Sequence, residues 1–272
     1  MKVGYPGIKG TFSDEAGREF FGSQYMGVGL GTFEEVCRAV KQKKVDHAVL
    51  PIENSSTGSI GEVFDLIQEY DLMITGEKKL YIEHHLLALP NTNPEQIECI
   101  YSHPQAFKQC YESLKLLPDA EHVMTPTTAN GAKIVTEKQG LTHAAIGSEY
   151  AAQTYGLKVL KDNIQDKVGN ATRFLILSAN PQTNVSSDKI SLSFVLRHEP
   201  GALAQLLTLI AKKGYNLAHI ESRPIANKNW AYRFFLDIEG NLEDVQASSL
   251  IEDMRLQTQS LRIVGRYKAD LH

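Results

Sequence analysis

The chain has 272 residues, with 28 Lys and Arg against 32 Asp and Glu and a formal net charge of −4. That is enough length for about two domains with real cores, but it offers no basic field to hold nucleic acid. No apolar run approaches the roughly 18 residues a membrane span needs. The cysteines, Cys37, Cys99 and Cys110, lack metal-ligand spacing and read as reduced thiols of a cytoplasmic protein. Met1 to Gly7 also lacks the basic-then-apolar order of a secretory signal, so export is not expected.

From the N-terminus, short apolar runs alternate with helical patterns. Gly10-Thr11-Phe12-Ser13 reads as a tight turn opening a helix. It is either a plain cap or a cap whose free N–H groups hold a carboxylate. Gly27, Gly29 and Gly31 miss the dinucleotide fingerprint, with Thr32 in place of its third glycine. Thr32 to Lys43 is helical, capped by Thr32 and carrying Glu34 and Glu35 in its first turn. Ala48-Val49-Leu50 is a strand that runs out into Glu53, Asn54, Ser55 and Ser56. That is either a solvated loop or a ligand crevice at a strand end. Ile60, Val63, Phe64 and Ile67 form a helical stripe. Cys99-Ile100-Tyr101 is a buried strand, followed by Ser102-His103-Pro104-Gln105 and a helix from Pro104 to Leu117. Ala144 to Gly147 and Arg173 to Leu177 are further strands, the second entered through Asn170-Ala171-Thr172. This alternation predicts parallel sheets covered by helices.

A polar, turn-forming linker is expected at about 179–188. Beyond it, Ile190, Leu192, Phe194 and Leu196 alternate as a half-buried strand. Pro200 to Lys213 is helical and Gly214 stops it. Strands follow at Leu217–Ile225 and Trp230–Ile238, then a helix at Leu242–Met254 and a strand at Gln257–Tyr267. The order βαββαβ is that of a ferredoxin-like plait. One face of its sheet is left bare of helices, and a second copy is its simplest cover.

His84-His85 are neighbours on a strand pattern and face opposite sides, so they make no metal site. Neither H-x-x-x-H nor a Ser/His/Asp spacing stands out, and no metal or cofactor is expected. The residues alone reach a small anion held in a crevice between two α/β lobes. Arg173 is suited to bind a carboxylate bidentately, or else sits in a structural salt bridge.

Five segments resemble those of the prephenate dehydratase family: Gly10-Thr11-Phe12-Ser13, Pro51-Ile52-Glu53-Asn54-Ser55, Gly76-Glu77, Ser102-His103-Pro104-Gln105-Ala106 and Asn170-Ala171-Thr172-Arg173-Phe174. The tail resembles an ACT regulatory domain through Gly201-Ala202-Leu203-Ala204 and Glu221-Ser222-Arg223-Pro224. The resemblance covers essentially the whole chain. No chorismate mutase helices precede Met1, so a monofunctional arrangement is expected.

The resemblance implies an α/β catalytic domain over 1–180, two-lobed and like a periplasmic binding protein. One lobe takes roughly 1–76 with 160–180, the other 77–159. An α+β ferredoxin-like ACT domain follows over 188–272. It also implies loss of the ring hydroxyl and ring carboxylate of prephenate to give phenylpyruvate, water and carbon dioxide. Thr172 would donate to the departing oxygen, helped by Asn54 and Gln105, while Glu53 orients Asn54 or a neighbouring donor. Thr11, Phe12, Ser13, Ser55, Ser102, Arg173 and Phe174 would bind substrate, Phe174 as a less polar wall. L-Phenylalanine would be the effector, at Gly201, Ala202, Leu203, Ala204, Asn216, Leu217, Glu221 and Ser222. Those last residues could instead contact the catalytic domain. A homodimer or homotetramer joined through the ACT domains is expected. Arogenate dehydratase and a non-catalytic amino-acid sensor are the alternatives.

Overall fold

The computed structural model describes residues 1–180, 187–225, 230–239 and 245–270. The first lobe is built from β1 (Lys2–Pro6), α1 (Phe12–Phe21), β2 (Met26–Leu30), α2 (Phe33–Lys41), β3 (His47–Asn54), β4 (Gly58–Ser59), α3 (Gly61–Glu69) and β5 (Met73–Tyr81). Threonine caps start α1 and α2, whereas α3 begins after Ile60 without a side-chain cap. The Thr32 hydroxyl accepts from the Glu35 N–H at 3.1 Å to begin α2, as a Thr cap should.

The chain then crosses into a second lobe. Its elements are β6 (His85–Ala88), β7 (Cys99–Ser102), α4 (Pro104–Gln109), α5 (Tyr111–Leu114), β8 (Glu121–Met124), α6 (Thr128–Lys138), β9 (His143–Gly147), α7 (Glu149–Tyr155) and β10 (Lys158–Lys161). It returns as β11 (Ala171–Ser178) between β3 and β5. Sheet membership therefore puts all of β5 in the first lobe and β10 in the second, so the crossings fall at 82–84 and 162–170 rather than at 77 and 160. The crossings lie side by side: the Ile82 N–H donates to Asn170 O, and the Ile164 N–H to His84 O, each at 2.8 Å.

Three sequence expectations change. The helix expected over 104–117 breaks at Cys110. There the Gln109 carbonyl accepts from Asp166 N at 2.7 Å and Asp166 Oδ1 accepts from Glu112 N at 3.0 Å, so the returning crossing takes groups a continuous helix would use. The sheets are mixed rather than parallel: β1 pairs β2 and β3 in parallel, but β11 is antiparallel to both β3 and β5. The strand entering 53–56 stays paired through Asn54 instead of ending at Leu50.

The C-terminal part is the expected plait: β12 (Lys189–Val195), α8 (Ala202–Lys212), β13 (Asn216–Pro224), β14 (Tyr232–Glu239), α9 (Val245–Gln257) and β15 (Ser260–Tyr267). The linker's 181–186 and the expected helix start at 242–244 lie outside the described residues. Ile190, Leu192, Phe194, Leu206, Ile210 and Leu250 fill the core between sheet and helices.

The other face of this sheet is not left for a second copy alone. Phe235, Val264 and Tyr267 join the core of the first lobe, with Phe64 of α3 4.8 Å from the Phe235 ring. Burying a side chain of this size contributes about 1.5–3 kcal/mol. The edges also meet: β15 pairs β5 at Gly265 and Ile74, making one ten-stranded sheet among the described residues. A Cβ at Gly265 would lie 2.6 Å from the Ile74 carbonyl oxygen, so this seam needs glycine.

Candidate active site

A cleft of ≈ 510 Å³ lies between the lobes. Gly29 packs against Gly7, one of its lining residues. An added Cβ there would lie 2.4 Å from the Gly7 carbonyl oxygen, so Gly29 serves close backbone packing, with no nucleotide needed to explain it.

Strands β3 and β11 place the central pair. Their register sets Thr172 opposite Asn54 and Arg173 opposite Glu53, then slips between Arg173 and Phe174, an irregularity typical near active sites. Asn54 Nδ2 donates to Thr172 Oγ1 at 2.9 Å. The amide cannot turn over, because its Oδ1 accepts from the N–H groups of Ser56 and Thr57 at 2.9 and 3.2 Å. The Thr172 oxygen thus receives a hydrogen bond and keeps its own hydrogen for the cleft. Accepting one bond polarises the hydroxyl and strengthens it as a donor.

Two helix starts face each other across the cleft. Thr11 caps α1, accepting from Asp14 N at 3.4 Å, while Asp14 Oδ2 accepts from Gly10 N at 2.8 Å. Asp14 also accepts from the Tyr25 hydroxyl at 2.6 Å and from the Tyr150 hydroxyl of the second lobe at 3.0 Å. Thr127 caps α6, accepting from Asn130 N at 3.1 Å. Both first turns line the cleft. Their leading N–H groups have no intrahelical partner, and they suit anions.

Among the described residues, the cleft lining contains no Lys, Arg, Asp or Glu. Its titratable side chains are His84 and His103, and burial chiefly holds both pKa values below the usual histidine range. His84 Nε2 pairs with Gln109 Oε1 at 2.9 Å, and His103 Nδ1 accepts from Gln105 N at 3.1 Å. Anion binding here rests on backbone and neutral polar donors.

Of the expected substrate and catalytic residues, the structure gathers Thr11, Phe12, Ser13, Asn54, Gln105, Thr172 and Phe174 on the cleft. Ser55 lies one pocket away, its Oγ accepting from Ala171 N at 2.9 Å. Ser102 is fully buried and donates to Ile146 O at 2.8 Å, so it ties strands rather than touching substrate. Arg173 is also misplaced by the expectation. Side chains alternate along a strand, so it points away from the cleft that Thr172 and Phe174 line. It is 9% exposed and bonds Asp237 through Nη2, with Glu77 at 3.3 Å. Burial opposes its charge, but Asp237, Tyr267 and Glu77 outweigh that and raise its pKa above the ordinary value. Glu53 shares this back face, 3.8 Å from Arg173 and 3.5 Å from His219. It is the backbone of Ser56 and Thr57, not Glu53, that orients Asn54.

Sequence reasoning missed His84, Gln109, Thr127, Thr128 and Asn130 on the cleft. The run Thr125-Pro126-Thr127-Thr128, between a strand end and a helix start, is the signal that could have found the last three.

In the C-terminal domain Gly201 adopts φ +83 before α8. Asn216 and Leu217 start β13 beyond the far end of that helix, about 16 Å away for 11 residues. One chain therefore does not bring the two groups together. Ser222 is exposed and Glu221 half-buried. Their neighbour Arg223 grips Asp65 of α3, with Nη2 at 2.6 Å and Nε at 3.2 Å, so this segment does contact the catalytic domain.

Fold and site together define a two-lobed α/β protein with a neutral, donor-rich cleft for a small anion, joined to a ferredoxin-like regulatory domain. The prephenate dehydratase model matches residues 3–182 and the ACT domain model residues 190–254. The bifunctional chorismate mutase/prephenate dehydratase of Aquifex aeolicus is 37% identical over 268 residues, 98% of this chain and 73% of that protein. Its Escherichia coli counterpart is 33% identical over 99% of this chain and 71% of that protein. Among solved structures, a prephenate dehydratase from Arthrobacter aurescens in complex with L-Phe superposes with a TM-score of 0.87 at 28% identity, covering 98% of this chain and 90% of that one. A protein described as a novel type of quorum-quenching acylase, GqqA, superposes at 0.91 with 28% identity, covering 100% and 99%. The chain belongs to the prephenate dehydratase family, and is a lyase-type dehydratase domain followed by an ACT domain. Among the described residues no helix is long and apolar enough to cross a membrane.

Proposed function

We propose that the chain converts prephenate to phenylpyruvate, water and carbon dioxide in phenylalanine biosynthesis, with L-phenylalanine acting through the ACT domain as inhibitor. The bond to the ring carboxylate breaks, and its electron pair aromatises the ring and expels the ring hydroxyl. One proton is taken up as that oxygen leaves as water. The observation that carries this reading is the Thr172 hydroxyl, held by Asn54 at 2.9 Å with its hydrogen free for the cleft. One preorganised donor of this kind is worth roughly 10²–10³ in rate. The first turns of α1 and α6 supply N–H groups for the two carboxylates. Phe174 offers an apolar wall against which a carboxylate loses charge more readily as carbon dioxide forms.

The uncharged lining favours prephenate over arogenate, since an ammonium group would find no carboxylate there. Acyl hydrolysis would need an activated nucleophile, whereas the two cleft histidines bond Gln109 and the Gln105 N–H. The reading also places the protein in the cytoplasm. It acts there as a homodimer or homotetramer joined through ACT domains, with β13 at the free edge of its sheet available for pairing. The test is phenylpyruvate formation from prephenate, followed by absorbance in alkali, with and without phenylalanine and beside arogenate. Turnover of prephenate suppressed by phenylalanine is expected. Turnover of arogenate alone, or phenylalanine binding without any turnover, would overturn it.

A further inference from the structure

Arg173 and Glu53 face away from the cleft, each one residue from a member of the Thr172–Asn54 pair and opposite each other in register. The regulatory domain reaches both. Asp237 of β14 bonds the Arg173 guanidinium. Its other oxygen accepts from the Ser191 hydroxyl of β12, which shares a hydrogen bond with Tyr267 at 2.9 Å. Lys189 of β12 meets both oxygens of Glu77, at 2.8 and 2.9 Å, and Glu77 also lies 3.3 Å from Arg173. His219 of β13 lies 3.5 Å from Glu53 and stacks on Phe64.

Such a cluster is a poor way to gain stability, because taking charges out of water offsets most of their attraction. What it provides here is a single arrangement of the strands it grips. Asp237 hydrogen-bonds Arg173 and serves no lysine, whereas Glu77 is shared with Lys189 and Glu53, 3.8 Å from Arg173, is shared with His219. Without Asp237, Arg173 would close on Glu53, and that movement would pull on the residue next to Asn54.

We propose that Asp237 is a positioning residue for the reaction. From the regulatory domain it holds Arg173, and through Arg173 the strand pair that carries Thr172 and Asn54. A displacement of β14 therefore reaches the catalytic hydroxyl. Because coupling between two sites is reciprocal, the same contact lets an occupied cleft act back on the effector site. The proposal rests on the dehydratase reading of the cleft.

The experiment compares the full-length chain with Asp237→Asn. Turnover of prephenate should fall about tenfold or more, within the hundredfold that a displacement of about 1 Å can cost, with KM little changed because the cleft lining is intact. Phenylalanine should still bind by calorimetry but inhibit less. Amide hydrogen exchange over 171–174 and 53–54 should quicken, and this readout reports positioning whatever the substrate is. An inactive wild type would refute the function, while the exchange comparison would still decide the positioning. Wild-type exchange in a folded Asp237→Asn, or wild-type kcat beside an active parent, would overturn the proposal. Ser191→Ala, which removes one hydrogen bond to Asp237 and no charge, should move the same readouts in the same direction by less. If Asp237→Asn does not fold, wild-type behaviour of Ser191→Ala overturns it.

Discussion

Asn54→Asp exchanges one nitrogen for oxygen at constant size, and it should be worse than Asn54→Ala. In the wild type, Oδ1 of Asn54 is occupied by the Ser56 and Thr57 N–H groups, so Nδ2 must donate to Thr172. An ionised aspartate has no hydrogen to give, and the Thr172 hydroxyl would turn to donate to it. The hydrogen meant for the departing oxygen is then lost, which is the removal of one preorganised donor, roughly 10²–10³ in kcat. The new charge also sits in a cleft without cations. At about 5 Å from a bound carboxylate and an effective dielectric near 20 it costs about 3 kcal/mol, which appears as a raised KM. Asn54→Ala leaves the Thr172 hydrogen free and adds no charge, so it loses only the anchoring. Initial rates of phenylpyruvate formation across a pH series separate the two. Asn54→Asp should recover toward acid pH, where a protonated carboxyl can donate again, and Asn54→Ala should not. An Asn54→Asp enzyme as active as Asn54→Ala at neutral pH, with no acid recovery, would refute the hydrogen-bond polarity assigned to this pair.

Other outcomes test the surrounding frame. Burial first, then Glu19, raises the Glu15 carboxyl from 4.5 to about 7. The native state thus holds this proton more tightly than the unfolded chain, and the group's contribution to stability falls as pH rises from 4.5 toward 7. Urea unfolding should show Glu15→Gln losing that slope, and an identical slope in both proteins would contradict it. Gly265→Ala should destabilise by about 1–3 kcal/mol by overpacking the seam with Ile74, read as a lowered Tm; an unchanged Tm would sink the close-approach argument. Thr127→Ala removes the cap of α6, costing about 1 kcal/mol, and should raise KM for prephenate, because α6 then presents a less ordered first turn to the anion. An unaltered KM would remove α6 from substrate binding.

Much of this was legible in the sequence because local chemistry and tertiary structure agree. Thr11 and Thr32 cap the helices their positions predicted, and Ile190 to Phe194 is the strand expected there, though Ser191 and Ser193 are buried as well, so it is covered on both faces rather than half-buried. The motif residues Asn54, Gln105 and Thr172 converge on the cleft although they are distant in sequence. Arg173 was misread because a motif gives adjacency, not facing: one step along β11 exchanges the cleft for the regulatory domain. Ser102 was misread likewise, since a polar residue at a strand end can be spent on a backbone carbonyl. The docking of the regulatory sheet on α3 was hidden because it depends on long-range fits, Phe64 on Phe235 and Gly265 on Ile74, that no local pattern marks.

The central claim is that the Thr172 hydroxyl donates to the departing oxygen. Its most direct test is the rate of phenylpyruvate formation by Thr172→Ala beside the wild type, with the fold checked by circular dichroism. A fall in kcat of about a hundredfold or more is expected, with KM nearly unchanged. A folded Thr172→Ala enzyme turning over at close to the wild-type rate would contradict it.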